Sequence, residues 1–188
     1  MQIKWISTSE GYGSVPIIFH WLMLLLIVAA YLTMDIKSFF PKGGASRDAI
    51  ANLHFMFGMS VFVLVWFRLF VRIAGVRPVI VPPMPSLQDY LAKTMHLILY
   101  VLMIGLPLLG WLTLSARGKP VPFFFIEMPA LIDKSPELAK LLKEVHESFA
   151  TVGYVLIGLH AAAALYHHYV KHDNVMSVML PGNRSKQN

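Results

Sequence analysis

Cysteine is absent from the 188-residue sequence. That excludes disulfides, thiolate zinc sites, iron–sulfur clusters and the thioether attachment of a c-type haem. Charge is scarce as well: Asp, Glu, Lys and Arg make up 14% of the chain, against roughly 25% in soluble domains. So low a charge excludes a disordered chain, which would be polar and highly charged. What fills the space is apolar, 56% of residues with a mean hydropathy of +0.61. At about 150 residues per domain the length predicts a single domain over residues 1–188. The formal charge of +6 and a pI near 9.6 would on a soluble protein raise nucleic-acid binding. Where the apolar residues fall decides otherwise.

The scarcity of charge is concentrated. Four stretches, residues 15–34, 49–67, 94–116 and 148–170, contain no Asp, Glu, Lys or Arg. Each lies within the roughly 17–25 residues that a helix needs to cross a bilayer. None alternates apolar with polar residues, and each is too long for an ordinary strand. The expected fold is all-α, an integral-membrane four-helix bundle, with lipid and not nucleic acid as its surroundings. The first stretch exceeds a signal-peptide core, and no small-residue cleavage pattern follows it, so no cleavable signal is expected.

Proline punctuates this plan. Pro16 suits the first turn of a helix, where its missing N–H costs nothing. Pro107 falls inside the third stretch and predicts a kink. Pro78, Pro82, Pro83 and Pro85 predict an extended connection over 73–90. Residues 136–147 (PELAKLLKEVHE) place Leu138, Leu141, Leu142 and Val145 on one face, extending the fourth helix by about three turns. Four crossings put both termini on one side, but the 16 Lys and Arg divide evenly between the two sides. The positive-inside count is therefore a tie; termini inside is the favoured reading.

Ionisable groups inside a membrane are costly and mark function by default. Here they are histidines: His20, His54, His96, His160, His167 and His168, with His146 just before the fourth stretch. Without carboxylates or cations in the spans, a charged ion pathway has no residues, and neutral imidazole is left for metal binding. His146 and His160 are fourteen residues apart, ~21 Å along a helix and within about 40° of the same face. His20 and His54 each lie five residues into their stretches, from opposite sides. These depths predict two pairs, His54 with His146 and His20 with His160, each able to ligate one haem iron. A lone intramembrane histidine is often only a hydrogen-bonded core residue; four at matched depths are harder to explain so. Gly58, Gly153 and the Ala161–Ala164 run beside these rings leave room for a flat cofactor. His96 competes with His20 for the inner position.

The stretches IIFHWLMLLLIVAAY, HLILYVLMIGLPLLGW and VHESFATVGYVLIGLHAAAALYHHYVKHDN resemble the bacterial cytochrome b561 family, four-helix di-haem membrane proteins that react with quinone. The resemblance covers nearly the whole chain. It implies two haem b groups, with axial ligands at His20, His54, His146 and His160. It also implies cytoplasmic termini, placement in the bacterial inner membrane, and a superoxide oxidase activity that moves electrons from superoxide at the periplasmic face to ubiquinone. The same scaffold also serves as the haem subunit linking a dehydrogenase to the quinone pool, so fold alone does not name the donor. A haem-free transporter is the weaker alternative.

The outer loops carry Lys37, Lys42, Arg47, Arg117 and Lys119, a rim that would steer a small anion. Quinone reduction consumes protons, and His167, His168 and His96 are the candidate residues for the quinone site. His167 and His168 could equally form an interfacial belt with Tyr166 and Tyr169. His146-Glu147 begins like a zinc-protease HExxH motif, but position 150 is Ala and the second ligand is missing. The 11 methionines are scattered through apolar stretches as packing residues.

Overall fold

A computed structural model describes Trp5, residues 7–9 and residues 11–180. Four helices dominate it: α1 (Ser14–Lys37), α2 (Ala45–Ala74), α3 (Ser86–Ala116) and α4 (Pro136–Tyr166). A short hairpin, β1 (Val121–Phe123) with β2 (Ile126–Met128), separates α3 from α4. After α4 the chain continues as a π-helical turn, His167–Lys171, and later a single 3-10 turn, Ser177–Met179. All four helices are long and apolar enough to span a membrane. Their apolar side chains face outward: Leu25 is 66% exposed, Phe70 71% and Leu97 64%. In water that surface would be untenable, and a bilayer covers it.

The helices outrun the charge-free stretches that announced them. α2 continues to Ala74, so Arg68 and Arg72 lie within it instead of closing it. The proline-rich connection shrinks accordingly to residues 75–85. α3 runs unbroken through Pro107. α4 begins at Pro136 as its amphipathic start requires; Pro136 takes the first helical position, and the Ser135 hydroxyl accepts from the Leu138 amide at 3.4 Å. α3 ends where Gly118 turns left-handed, φ +65°, and its amide and that of Lys119 bond back to Ser115 and Leu114 at 2.8 and 3.0 Å. A side chain at 118 would also press on Lys134, whose Cδ lies 3.2 Å from the Cβ position.

The chain divides into two compact units. One holds both ends of the chain, Met1–Trp21, Trp66–Tyr100 and Gly153–Asn188; we call it the terminal unit. In it the tail is fastened to the 75–85 connection by Asn174, whose side chain accepts from the Val81 amide at 2.8 Å and donates to the Val79 carbonyl at 3.0 Å. The Trp21 indole donates to the Met179 carbonyl at 2.9 Å.

The other unit, Leu22–Val65 and Val101–Val152, holds the α1–α2 and α3–α4 connections; we call it the loop unit. Its core is Met59, Leu114 and Val121, packed against Phe55, Phe62, Trp111, Phe123 and Met128. The hairpin is thus part of the core, which its three-residue strands did not announce. Trp111 donates to the Pro129 carbonyl at 2.8 Å, and the buried Ser115 hydroxyl accepts from the Leu131 amide at 3.1 Å. The Tyr31 hydroxyl ties α1 to α4 by donating to the Ala150 carbonyl at 2.8 Å.

Candidate functional site

Within the loop unit, α2 and α4 bring His54 and His146 together, ring centres 6.1 Å apart and planes crossed at 77°. Each ring is held by its Nδ1: His54 donates to the Ala30 carbonyl at 2.9 Å, and His146 to the Leu106 carbonyl at 3.0 Å. A carbonyl can only accept, so the proton is on Nδ1 and the Nε2 lone pair is free. That is the arrangement by which a second partner orients a metal-binding imidazole. A metal bonded at about 2 Å to one nitrogen of each ring separates the centres by roughly 6 Å, the separation observed. Gly110 passes close by, its Cβ position 3.6 Å from His146 Cε1, while nothing lies within 4 Å of the Cβ position at Gly58, one turn beyond His54.

The terminal unit contains a second set. His20 of α1 and His160 of α4 have ring centres 6.5 Å apart, planes at 64°. His96 of α3 is nearer to His160, at 5.4 Å. The wider separation is the one that leaves room for an iron between the rings, so the spacing favours His20 as the partner of His160. Two arginines of α2 adjoin this set, a feature the charge-free stretches concealed. Arg68 Nη2 lies 2.9 Å from His20 Nδ1, and Arg68 and Arg72 sit 6.0 and 5.5 Å from the ring centre of Tyr100.

The remaining candidates lie elsewhere in the terminal unit. His167 opens the π-helical turn, and its Nδ1 bonds the buried Asp173 carboxylate. Asp173 also receives the Val175 amide at 3.0 Å. Asp173, a residue of the tail, escaped the sequence reading because only the turn of the chain at His172 (φ 53°) brings it back to His167. His168 packs edge-on against Tyr169, centres 4.8 Å apart, as an interfacial aromatic pair would.

The loop unit also carries a cavity of about 400 Å³ whose rim includes Arg117, Lys119, Lys134, Lys140 and Lys143. Lys143 pairs with Glu147 at 2.6 Å and Lys140 more loosely with Glu144 at 4.0 Å. Of these, Arg117 and Lys119 were in the expected rim; the lysines of the α4 extension join them because α4 starts as early as Pro136.

Two histidine pairs, each spaced for one metal ion, sit on three of the four helices that are long and apolar enough to span a membrane. With that geometry established, comparison with known proteins gives a consistent result: the family model described as prokaryotic cytochrome b561 matches residues 11–182. The chain belongs to the prokaryotic cytochrome b561 family. Among its relatives, cytochrome b561 homolog 1 of Escherichia coli (strain K12) is 35% identical over 90% of this chain and 97% of its own length. A Yersinia pestis protein named probable superoxide oxidase CybB is 35% identical over 93% of this chain and 98% of its own. Cytochrome b561 homolog 2 of Escherichia coli (strain K12) is 27% identical over 93% of each. This cytochrome b561 is therefore a membrane electron-transfer protein that uses b-type haem. The anchored rings fit that group: haem iron brings four nitrogens of its own and asks the protein for two bare imidazole nitrogens.

Proposed function

We propose that the protein is a superoxide:ubiquinone oxidoreductase of the bacterial inner membrane, with two haem b groups, one held by His54 and His146 and the other by His20 and His160. The observation that carries the reading is the pair of bis-imidazole spacings, 6.1 and 6.5 Å, in two separate units of one chain. The haem irons supply reversible one-electron chemistry when bound. The protein's part is to fix the ligands, admit the donor and supply protons. Overall, two superoxide anions each lose one electron and leave as dioxygen, while ubiquinone gains two electrons and two protons to become ubiquinol.

In this reading both termini are cytoplasmic and the loop unit faces the periplasm. The five cations around its cavity, together with Lys37, Lys42 and Arg47, concentrate a small anion near the unit that contains His54 and His146. Quinone takes its protons in the terminal unit. There Asp173 holds His167 through Nδ1, so the opposite nitrogen, Nε2, is the one that exchanges a proton with quinone. His96 and His168 are secondary candidates.

A pulse of superoxide onto the oxidised, purified protein tests the proposal. The haem absorbance should shift to the reduced form, and added ubiquinone should restore the oxidised spectrum. Haems that stay oxidised in superoxide but are reduced by a co-purifying dehydrogenase would instead make the chain a dehydrogenase's haem subunit. A protein without b-type absorbance would leave only the transporter reading.

A further inference from the structure

The two histidine pairs differ in one respect that their spacing hides. Both rings of the loop-unit pair donate Nδ1–H to a carbonyl, but His20 faces a guanidinium. Arg68 has five N–H donors and no acceptor, so His20 Nδ1 must accept and the ring's proton must sit on Nε2. A neutral His20 in that state offers no lone pair at Nε2, the nitrogen that iron needs. Ligation through His20 Nε2 and the Arg68–His20 hydrogen bond therefore exclude each other. When the iron is bound, Arg68 must turn to another acceptor.

Among the described residues no carboxylate is paired with Arg68. It lies inside α2, six residues before the end of that helix; its Nε and Nη1 are buried and unbonded. Beside it Tyr100, only 8% exposed, buries a hydroxyl that also has no partner. Buried N–H and O–H groups without partners are costly, and beside a cation the acceptor that suits them best is an anion. Arg68, Arg72, Tyr100, Tyr12 and Ser7 line a cavity of about 40 Å³. By that measure it has room for a few waters or a carboxylate and is too small for a quinone ring.

We propose that Arg68 anchors a propionate carboxylate of the haem held between His20 and His160, with the Tyr100 hydroxyl donating a further hydrogen bond to it. The inference rests on the reading that this pair holds a haem. Arg68 thereby acts as an exchangeable donor: it caps His20 until the haem arrives, then pairs with the anion that the haem carries. Charge-assisted pairing of this kind with a planar guanidinium is geometrically specific, and Lys would reproduce the charge but not the fork.

The test uses the full-length apo-protein, reconstituted with haem b or with its dimethyl ester, in which both propionates are neutral. Wild type and Arg68→Met are compared by the rate at which haem leaves for an external haem acceptor. The haem on His54 and His146 serves as the internal control. With haem b, Arg68→Met should release the second haem roughly tenfold faster or more; with the ester, the two proteins should release it alike. Tyr100→Phe, which removes one hydroxyl from a folded protein, should show a smaller acceleration that likewise vanishes with the ester. Equal acceleration with both haems would reduce Arg68 to a structural residue and overturn the proposal, as would release at the wild-type rate. A wild-type protein whose haem content is unchanged by His20→Ala would overturn the underlying haem assignment instead, and the anchor with it.

Discussion

A hydrogen bond at one ring nitrogen decides what the other nitrogen can do, and this distinguishes the histidines more sharply than their depth. The Ala30 and Leu106 carbonyls orient the His54 and His146 rings and leave each Nε2 available to a metal. Because their planes cross at 77°, the ferric haem between them should give the highly anisotropic low-spin signal of crossed imidazoles in low-temperature EPR. A rhombic signal of parallel planes would show that the rings rotate on loading. Gly110 sets the clearance on one side. Gly110→Ala should leave haem content unchanged, because a methyl there makes ordinary contact at 3.6 Å. Gly110→Leu should push His146 aside and deplete that haem alone, which the haem-to-protein ratio and the redox titration together would reveal. The approach of His54 to His146 and of His20 to His160 was legible from their depths in the four stretches and from the shared face of α4 that carries His146 and His160. The place of Arg68 was not. The second charge-free stretch ends at Arg68 itself, and nothing in the composition says that the helix continues to Ala74.

Among the elements, the long helices were legible and the short ones were not. Twenty apolar residues have few ways to satisfy their backbone in lipid except as a helix. A three-residue strand has no periodicity to read. The hairpin between α3 and α4 is instead fixed by tertiary contacts: Val121 enters the core, and Phe124 accepts a left-handed φ of 53° at the turn. Ser115, 1% exposed, holds the connection by accepting from Leu131. Ser115→Val would leave that amide unpaired and should cost about 1–3 kcal/mol, seen as a lower thermal midpoint in detergent. An unchanged midpoint would mean that Trp111 and its bond to Pro129 suffice. The π-helical turn at His167–Lys171 was equally silent in the sequence, because it depends on Asp173 closing back on His167.

For the molecule as a whole, the scarcity of charge acquires a location. The four charge-free stretches within the helices are bare of it, and five cations gather at a cavity of the loop unit, of which only Arg117 and Lys119 were expected from sequence. If that cavity gathers superoxide, Arg117→Glu combined with Lys134→Glu should slow haem reduction by superoxide several-fold at low salt. The deficit should shrink near 1 M salt, where the screening length falls to about 3 Å. Stopped-flow rates at several ionic strengths would show it; a deficit independent of salt would mean a local structural effect. The proposed function requires two haems in this single chain, each between one histidine of α4 and one of another helix. Haem b per chain, measured by pyridine haemochromogen in the wild type and in His54→Ala, His146→Ala, His20→Ala and His160→Ala, tests it most directly. Two haems are expected in the wild type and one in each variant, with the first two variants losing the same haem and the last two the other. One haem in the wild type, or different haems lost within a pair, would contradict it.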